Sequence, residues 1–313
     1  MKRLILFLLP VLLLTGCDIL DLIYNEASYI PPREVGLGQA RAELPELDSL
    51  YCYFAAQNYT VWDFNDWLQA DVNNLPERLI LLRYDIHYED MREAYSAYTL
   101  QCAHLGPCTG TWFVMLDNPY ETVEDDYAPM RRSYLSFIEF AGARGEDVQP
   151  HISPCDMYLH DRHPVWERMS RSDLQVIFDE NYQIRRYPDG VDFDVIGEDV
   201  LDLADINARL PELLVEYNGS WTRQTGLDVV GYAAHGSPVA MQRVMWGERL
   251  LDQRCLLQLG IYAYDSYNTA IFSHLEYLHD TYFAAWMKDP TLIEPGQYEL
   301  LIHPNQWHLL HTP

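Results

Sequence analysis

Lysine is almost absent from this chain. Of its 313 residues only Lys2 and Lys288 are lysines, and arginine carries the rest of the positive charge. With 21 basic and 47 acidic residues the formal charge is −26. Such a surface repels a polyphosphate, which excludes nucleic acid as a natural partner. Long apolar runs are missing too. The N-terminal run Leu4–Leu14 spans eleven residues, whereas a membrane-crossing helix needs ~20. No segment repeats and no tract is of low complexity, which excludes solenoids and fibres. Wholesale disorder is excluded by a hydrophobic content of 49 %, enough for a sizeable core.

The start of the chain has the pattern of an export signal. Lys2 and Arg3 precede the apolar run, and Leu14-Thr15-Gly16-Cys17 closes it. This segment resembles a bacterial lipobox, in which the cysteine is lipidated and becomes the new N-terminus. The expectation is a signal peptide over residues 1–17, lipidation at Cys17, and a protein exported and held at a bacterial membrane by its lipid alone. Export implies an oxidising compartment. Of the remaining five cysteines, Cys102 and Cys108 flank a Gly-Pro turn and could pair, or could remain buried thiols.

Residues 18–76 read as a tether and N-terminal extension, with Ile30-Pro31-Pro32-Arg33 and Gly36-Leu37-Gly38 as spacer. The aromatics between Leu50 and Leu68 fit packing against the body better than a sugar-stacking surface. From residue 77 to 313, strand and helix patterns alternate. Apolar runs at Leu79–Leu82, Thr111–Leu116, Val148–Ile152, Val229–Ala234, Leu256–Tyr262, Tyr282–Trp286 and Tyr298–Ile302 predict strands. Helical spacing marks Met91 to Leu105 and Tyr134 to Ala141. A capping box at Ser172-Asp173-Leu174-Gln175 opens another helix. Val200–Tyr217 is helical with a break expected near Pro211. Alternation of this kind implies a parallel sheet or barrel.

Four segments carry side chains suited to chemistry. Arg83-Tyr84-Asp85-Ile86-His87 follows a strand, and strand alternation puts Asp85 and His87 on one side. They read as a general base and a metal ligand, or Asp85 forms a structural ion pair with Arg83. His151-Ile152-Ser153-Pro154-Cys155 supplies an imidazole and a thiol, both good zinc ligands. His160, Asp161 and His163 follow in a loop. His235-Gly236-Ser237-Pro238 offers close backbone approach to a ligand, or simply a turn. Leu300-Leu301-Ile302-His303-Pro304-Asn305-Gln306-Trp307 ends a strand at a histidine able to give up a proton near neutrality.

Taken in order, these segments resemble the polysaccharide deacetylase superfamily (NodB homology, carbohydrate esterase family 4), in a divergent form with an "LRxDxD" opening, an "HGSP" and a closing "LLIHPxxW". The resemblance covers about residues 77–313. It implies a distorted, seven-stranded (β/α) barrel that binds a divalent metal, commonly zinc. By motif, Asp85 takes the place of the catalytic base and His303 that of the late acid. His151 matches a metal ligand, while His87 and Cys155 stand where another aspartate and another histidine are expected. The resemblance further implies removal of N-acetyl groups from a cell-envelope or extracellular glycan. Arg83, His235, Ser237, Tyr267, Trp286 and Trp307 would line the substrate, and Tyr264-Asp265-Ser266 and His279-Asp280 are further pocket candidates. Because two ligand positions depart from the pattern, a non-catalytic glycan-binding lipoprotein on the same barrel is the alternative, and a small-amide hydrolase a third.

Overall fold

A computed structural model describes residues 28–116, 127–152, 157, 161, 177–178, 184–186, 203–235, 261–266, 269–281 and 283–310. Helices α1 (Leu37–Glu43) and α2 (Pro45–Ala56) lead into strand β1 (Thr60–Trp62) and helix α3 (Phe64–Gln69). Strand β2 (Leu79–Ile86), helix α4 (Met91–His104), strand β3 (Thr111–Val114), helix α5 (Tyr127–Gly142) and strand β4 (Asp147–Ile152) follow. A small antiparallel pair, β5 (Ile177–Phe178) and β6 (Ile184–Arg186), precedes helix α6 (Leu203–Thr225). Strands β7 (Gly231–Ala234) and β8 (Tyr264–Asp265), helix α7 (Thr269–Phe272), strand β9 (Glu276–His279), helix α8 (Ala285–Lys288), strand β10 (Gln297–Ile302) and helix α9 (Pro304–Leu309) complete the described elements.

The main sheet runs β8-β7-β4-β3-β2-β10-β9, with β1 also paired to β2, and every pairing in it is parallel. Parallel strands need crossovers, and α4 and α5 supply two of them. The sheet curls into a half-barrel flanked by helices, an α/β fold. Among the described residues no helix is long and apolar enough to cross a membrane.

Strand alternation divides the core in two. On β2, Ile80, Leu82, Tyr84 and Ile86 face the helices, in one cluster with Leu100, Phe137 and Leu300. Leu79 and Leu81 face the inside of the curl, where they meet Phe64, Phe113 and Tyr264. Helix α3 closes this inner volume at the strands' N-terminal edge. Asp63 caps it, accepting a hydrogen bond from the Asp66 amide at 2.8 Å, and the Phe64 ring packs on Tyr264 at 4.8 Å and Phe113 at 5.4 Å. Gly231 is required there, since a Cβ would lie 2.2 Å from the Tyr264 ring.

Several expectations change. The stretch read as a tether is packed from Ile30 onward: Ile30, Val35, Ala40 and Leu44 join the outer cluster. The aromatics Tyr51, Phe54 and Phe64 are fully buried, as packing required. Tyr282–Trp286 is not a strand, since Ala285–Lys288 is helical and the strand in this region is β9. Pro211 does not break α6, which runs on to Thr225. Buried Leu210, Leu214 and Trp221 hold it across the lost hydrogen bond. Cys102 and Cys108 are free thiols, as is Cys52. Residues 172–175 and 256–260, the larger part of the expected strand Leu256–Tyr262, lie outside the described residues.

Candidate metal centre

Four histidines stand at the C-terminal edge of the sheet, on four different strands. His87, His235 and His303 each directly follow the last residue of β2, β7 and β10, and His151 is the penultimate residue of β4. In α/β sheets and barrels this edge is where functional groups collect. The curl is what joins them. Strands β2 and β7 are three steps apart in the sheet, about 14 Å if it were flat, yet the rings of His87 and His235 are 5.2 Å apart. His151 lies 5.0 Å from His87 and 5.2 Å from His235, ring to ring. All three are buried, and one ring nitrogen of each lies within 4.8 Å of the others, so the group could hold a metal ion.

Hydrogen bonds fix which nitrogens are available. His151 Nδ1 lies 3.1 Å from the Ala233 carbonyl, which can only accept, so Nδ1 carries the hydrogen. His87 Nδ1 lies 3.2 Å from Asp90 Oδ2 and likewise donates. Asp90 is itself fastened, accepting from the His87 amide at 3.0 Å and the Asn305 amide at 2.9 Å. The two Nε2 atoms then face each other at 3.2 Å. Two bare lone pairs at that distance repel, so a proton or a cation must lie between them. A tetrahedral ion with ligands at 2.0–2.1 Å sets its nitrogens about 3.3 Å apart, and the observed spacing fits. His235 contributes a second sign of fit: its Nδ1 is buried with no hydrogen-bond partner among the described residues.

The electrostatics agree. Burial pushes His151 down to about 3 and His235 well below its ordinary value, so both are neutral near pH 7, the ligating form. Burial also works against a charge on His87, but the Asp90 carboxylate outweighs it and holds His87 above the usual histidine range. Of the two facing nitrogens, His87 Nε2 is therefore the one better able to hold a proton, and that proton is the one a cation would displace.

Beneath the histidines lies a buried ion layer. Arg83 holds Asp85 with both arms, Nε to Oδ1 at 3.1 Å and a terminal nitrogen to Oδ2 at 2.5 Å, and reaches Glu299 Oε1 at 3.0 Å. Burial alone would raise Asp85, but the guanidinium, aided by His151, keeps it well below the usual carboxylate range. Asp85 Oδ2 is 3.8 Å from His151 Nε2. His303 forms the other wall, its ring stacked on His87 at 5.4 Å and 7°. Asp280 orients it, accepting from the His303 amide at 2.5 Å, from Nδ1 at 2.7 Å and from the Trp307 indole at 2.8 Å. Nε2 is left as the nitrogen able to pass a proton. Four buried carboxylates (Asp85, Asp90, Asp280, Glu299) thus lie under and beside the histidines, against one buried arginine among the described residues, a field that favours a cation.

Of the residues singled out from sequence, Asp85, His87, His151, His235 and His303 meet here. His235, expected among the substrate contacts, sits with the metal-ligand group. Arg83 is fully buried under the site. Trp307 is buried behind His303, with half-buried Trp286 against it at 5.9 Å. Asp161 is 2.8 Å from Arg209 on α6. Cys17, Cys155, His160, His163, Ser237 and Tyr267 lie outside the described residues. Asp90 escaped the sequence reading, although its place three residues after His87, ahead of a helix, is the signal of a capping pair. Compared with protein-family models, with curated proteins and with solved structures, the chain finds no match in any of the three.

Proposed function

We propose that this chain is a metal-dependent hydrolase of the polysaccharide deacetylase type, removing N-acetyl groups from an envelope or extracellular glycan. The observation that carries the metal part is the convergence of His87, His151 and His235 from three strands, with two Nε2 atoms 3.2 Å apart. Three neutral imidazoles suit zinc and leave room for water. A bound zinc ion would polarise the acyl oxygen and lower the pKa of water toward ~7. Asp85 is the carboxylate placed to accept a proton beside His151, and Arg83 keeps it ionised. His303, held by Asp280, is placed to protonate the departing amine. The choice of deacetylation rests on the motif order Asp85, His151, His303. Closure of the half-barrel into seven strands, export, and lipid anchoring at Cys17 belong to the same proposal.

One observation favours a second reading, a glycan-binding barrel without catalysis. A carboxylate held by both arms of a buried arginine is a weak proton acceptor. Metal analysis and acetate release decide. Purified protein should carry about one equivalent of zinc at this site, releasing acetate from N-acetylated chitooligosaccharides or peptidoglycan fragments. Chelation and His151→Ala should abolish both. Metal that is lost on His151→Ala, without acetate release from any N-acetylated glycan, would favour the binding role, and a zinc content that His151→Ala leaves unchanged would sink both the centre and the hydrolase.

A further inference from the structure

A second group of ligand atoms lies far from the histidine mouth and does not depend on its chemistry. Asp48 and Cys52 are one turn apart on α2, so their side chains share a face. Helix α4 packs beside α2 and ends at His104, whose side chain enters that face. His104 Nε2 is 2.7 Å from Asp48 Oδ1 and 3.7 Å from Cys52 Sγ, and Nδ1 is 3.5 Å from the same sulfur. Helix α4 starts four residues after His87 and is 14 residues long, which puts His104 about 20 Å from the mouth.

We propose that Asp48, Cys52 and His104 form a second, structural zinc-class site that clips the N-terminal helices to the body. A thiolate, an imidazole and a carboxylate are the donor set zinc selects over magnesium or calcium. Tetrahedral zinc sets its nitrogen and sulfur ligands about 3.5–3.6 Å apart, close to the 3.7 Å observed here. The nitrogen–oxygen pair must open from 2.7 Å to about 3.3 Å, exchanging its hydrogen bond for two bonds to the ion. Cys52 is exposed, so the fourth position is left to water. His104 ends α4, where the helix dipole is negative and favours a cation. Arg41, 3.1 Å from Asp48 Oδ1, is the group that competes for the carboxylate.

The test is a Co2+ titration of the purified chain followed by absorbance. The background is His151→Ala, which removes the first centre, so failure of either site is read separately. A thiolate-to-cobalt charge-transfer band should grow to about one equivalent. Cys52→Ser and His104→Ala in the same background should each abolish the band and weaken zinc binding by more than about 100-fold. Zinc should raise the melting temperature of the background variant and leave that of the Cys52→Ser double variant unmoved. No band, or a band and a zinc-dependent melting shift that survive Cys52→Ser, overturns the proposal and leaves the three residues as a hydrogen-bonded tie between helices.

Discussion

The two ends of the curled sheet are built from the same strands in opposite ways. At the N-terminal edge the inside is filled with Phe64, Leu79, Leu81, Phe113 and Tyr264, packed ring on ring and closed by α3. At the C-terminal edge it is lined by His87, His151, His235 and His303 over an arginine–carboxylate layer. One strand shows the change along its own length: the inward residues of β2 are Leu79, Leu81, Arg83 and Asp85, and His87 follows. Apolar packing needs no partner of fixed geometry, so the lower end can contribute stability alone. Each polar group above it needs a matched partner, which ties that end to a fixed geometry.

The largest expected effect lies at the seam between the two. Arg83→Met removes a cation shared by Asp85 and Glu299, both buried. The loss should be about 4 kcal/mol in urea unfolding, and Asp85→Asn added to it should restore part. A loss under about 1 kcal/mol would mean that the layer is solvated and that the two ends are not separated by a dry ion pair. Next is Phe64→Ala, which opens a cavity between Phe113 and Tyr264. It should cost about 3 kcal/mol while zinc affinity at pH 7 stays within about twofold of wild type. A large change in affinity would show that the plug sets the geometry of the mouth and would break the comparison.

Legibility in the sequence follows the same division. The outer face of β2 and the stripes of α4 and α5 were readable, because apolar periodicity is a local signal. The apolar run marks that strand only as far as Leu82, because Arg83 and Asp85 carry charge, and their mutual pairing is what lets it run buried to Ile86. The α8 segment failed for a related reason: a short aromatic run does not distinguish a strand from a helical turn. At the site, His87 and His151 stood out through strand-end position. The place of His235 beside them depends on sheet curvature across β3 and β4, which no local spacing encodes.

The smallest effect tests whether the apolar end is free of titration. Asp63 caps α3 there, with Asp66 following it and Asp147 on β4 the neighbouring carboxylate across the plug. Burial, reinforced by Asp147, pushes Asp63 up to about 6. The unfolded chain ionises near pH 4, so between about pH 4 and 6 the folded protein holds the extra proton. Its stability contribution is complete below that window and is lost as pH rises through it. Asparagine caps equally well and carries no charge. Asp63→Asn should therefore gain on the order of 1 kcal/mol over wild type at pH 7.5, and the gain should vanish at pH 4. Unfolding of the two proteins by urea at both pH values measures the difference directly, with the histidine mouth common to both. An equal gain at both pH values would mean that the carboxylate is solvated. A loss at pH 7.5 would mean that the ionised cap stabilises α3 by more than its burial costs, and the lower end would then depend on charge as the upper one does.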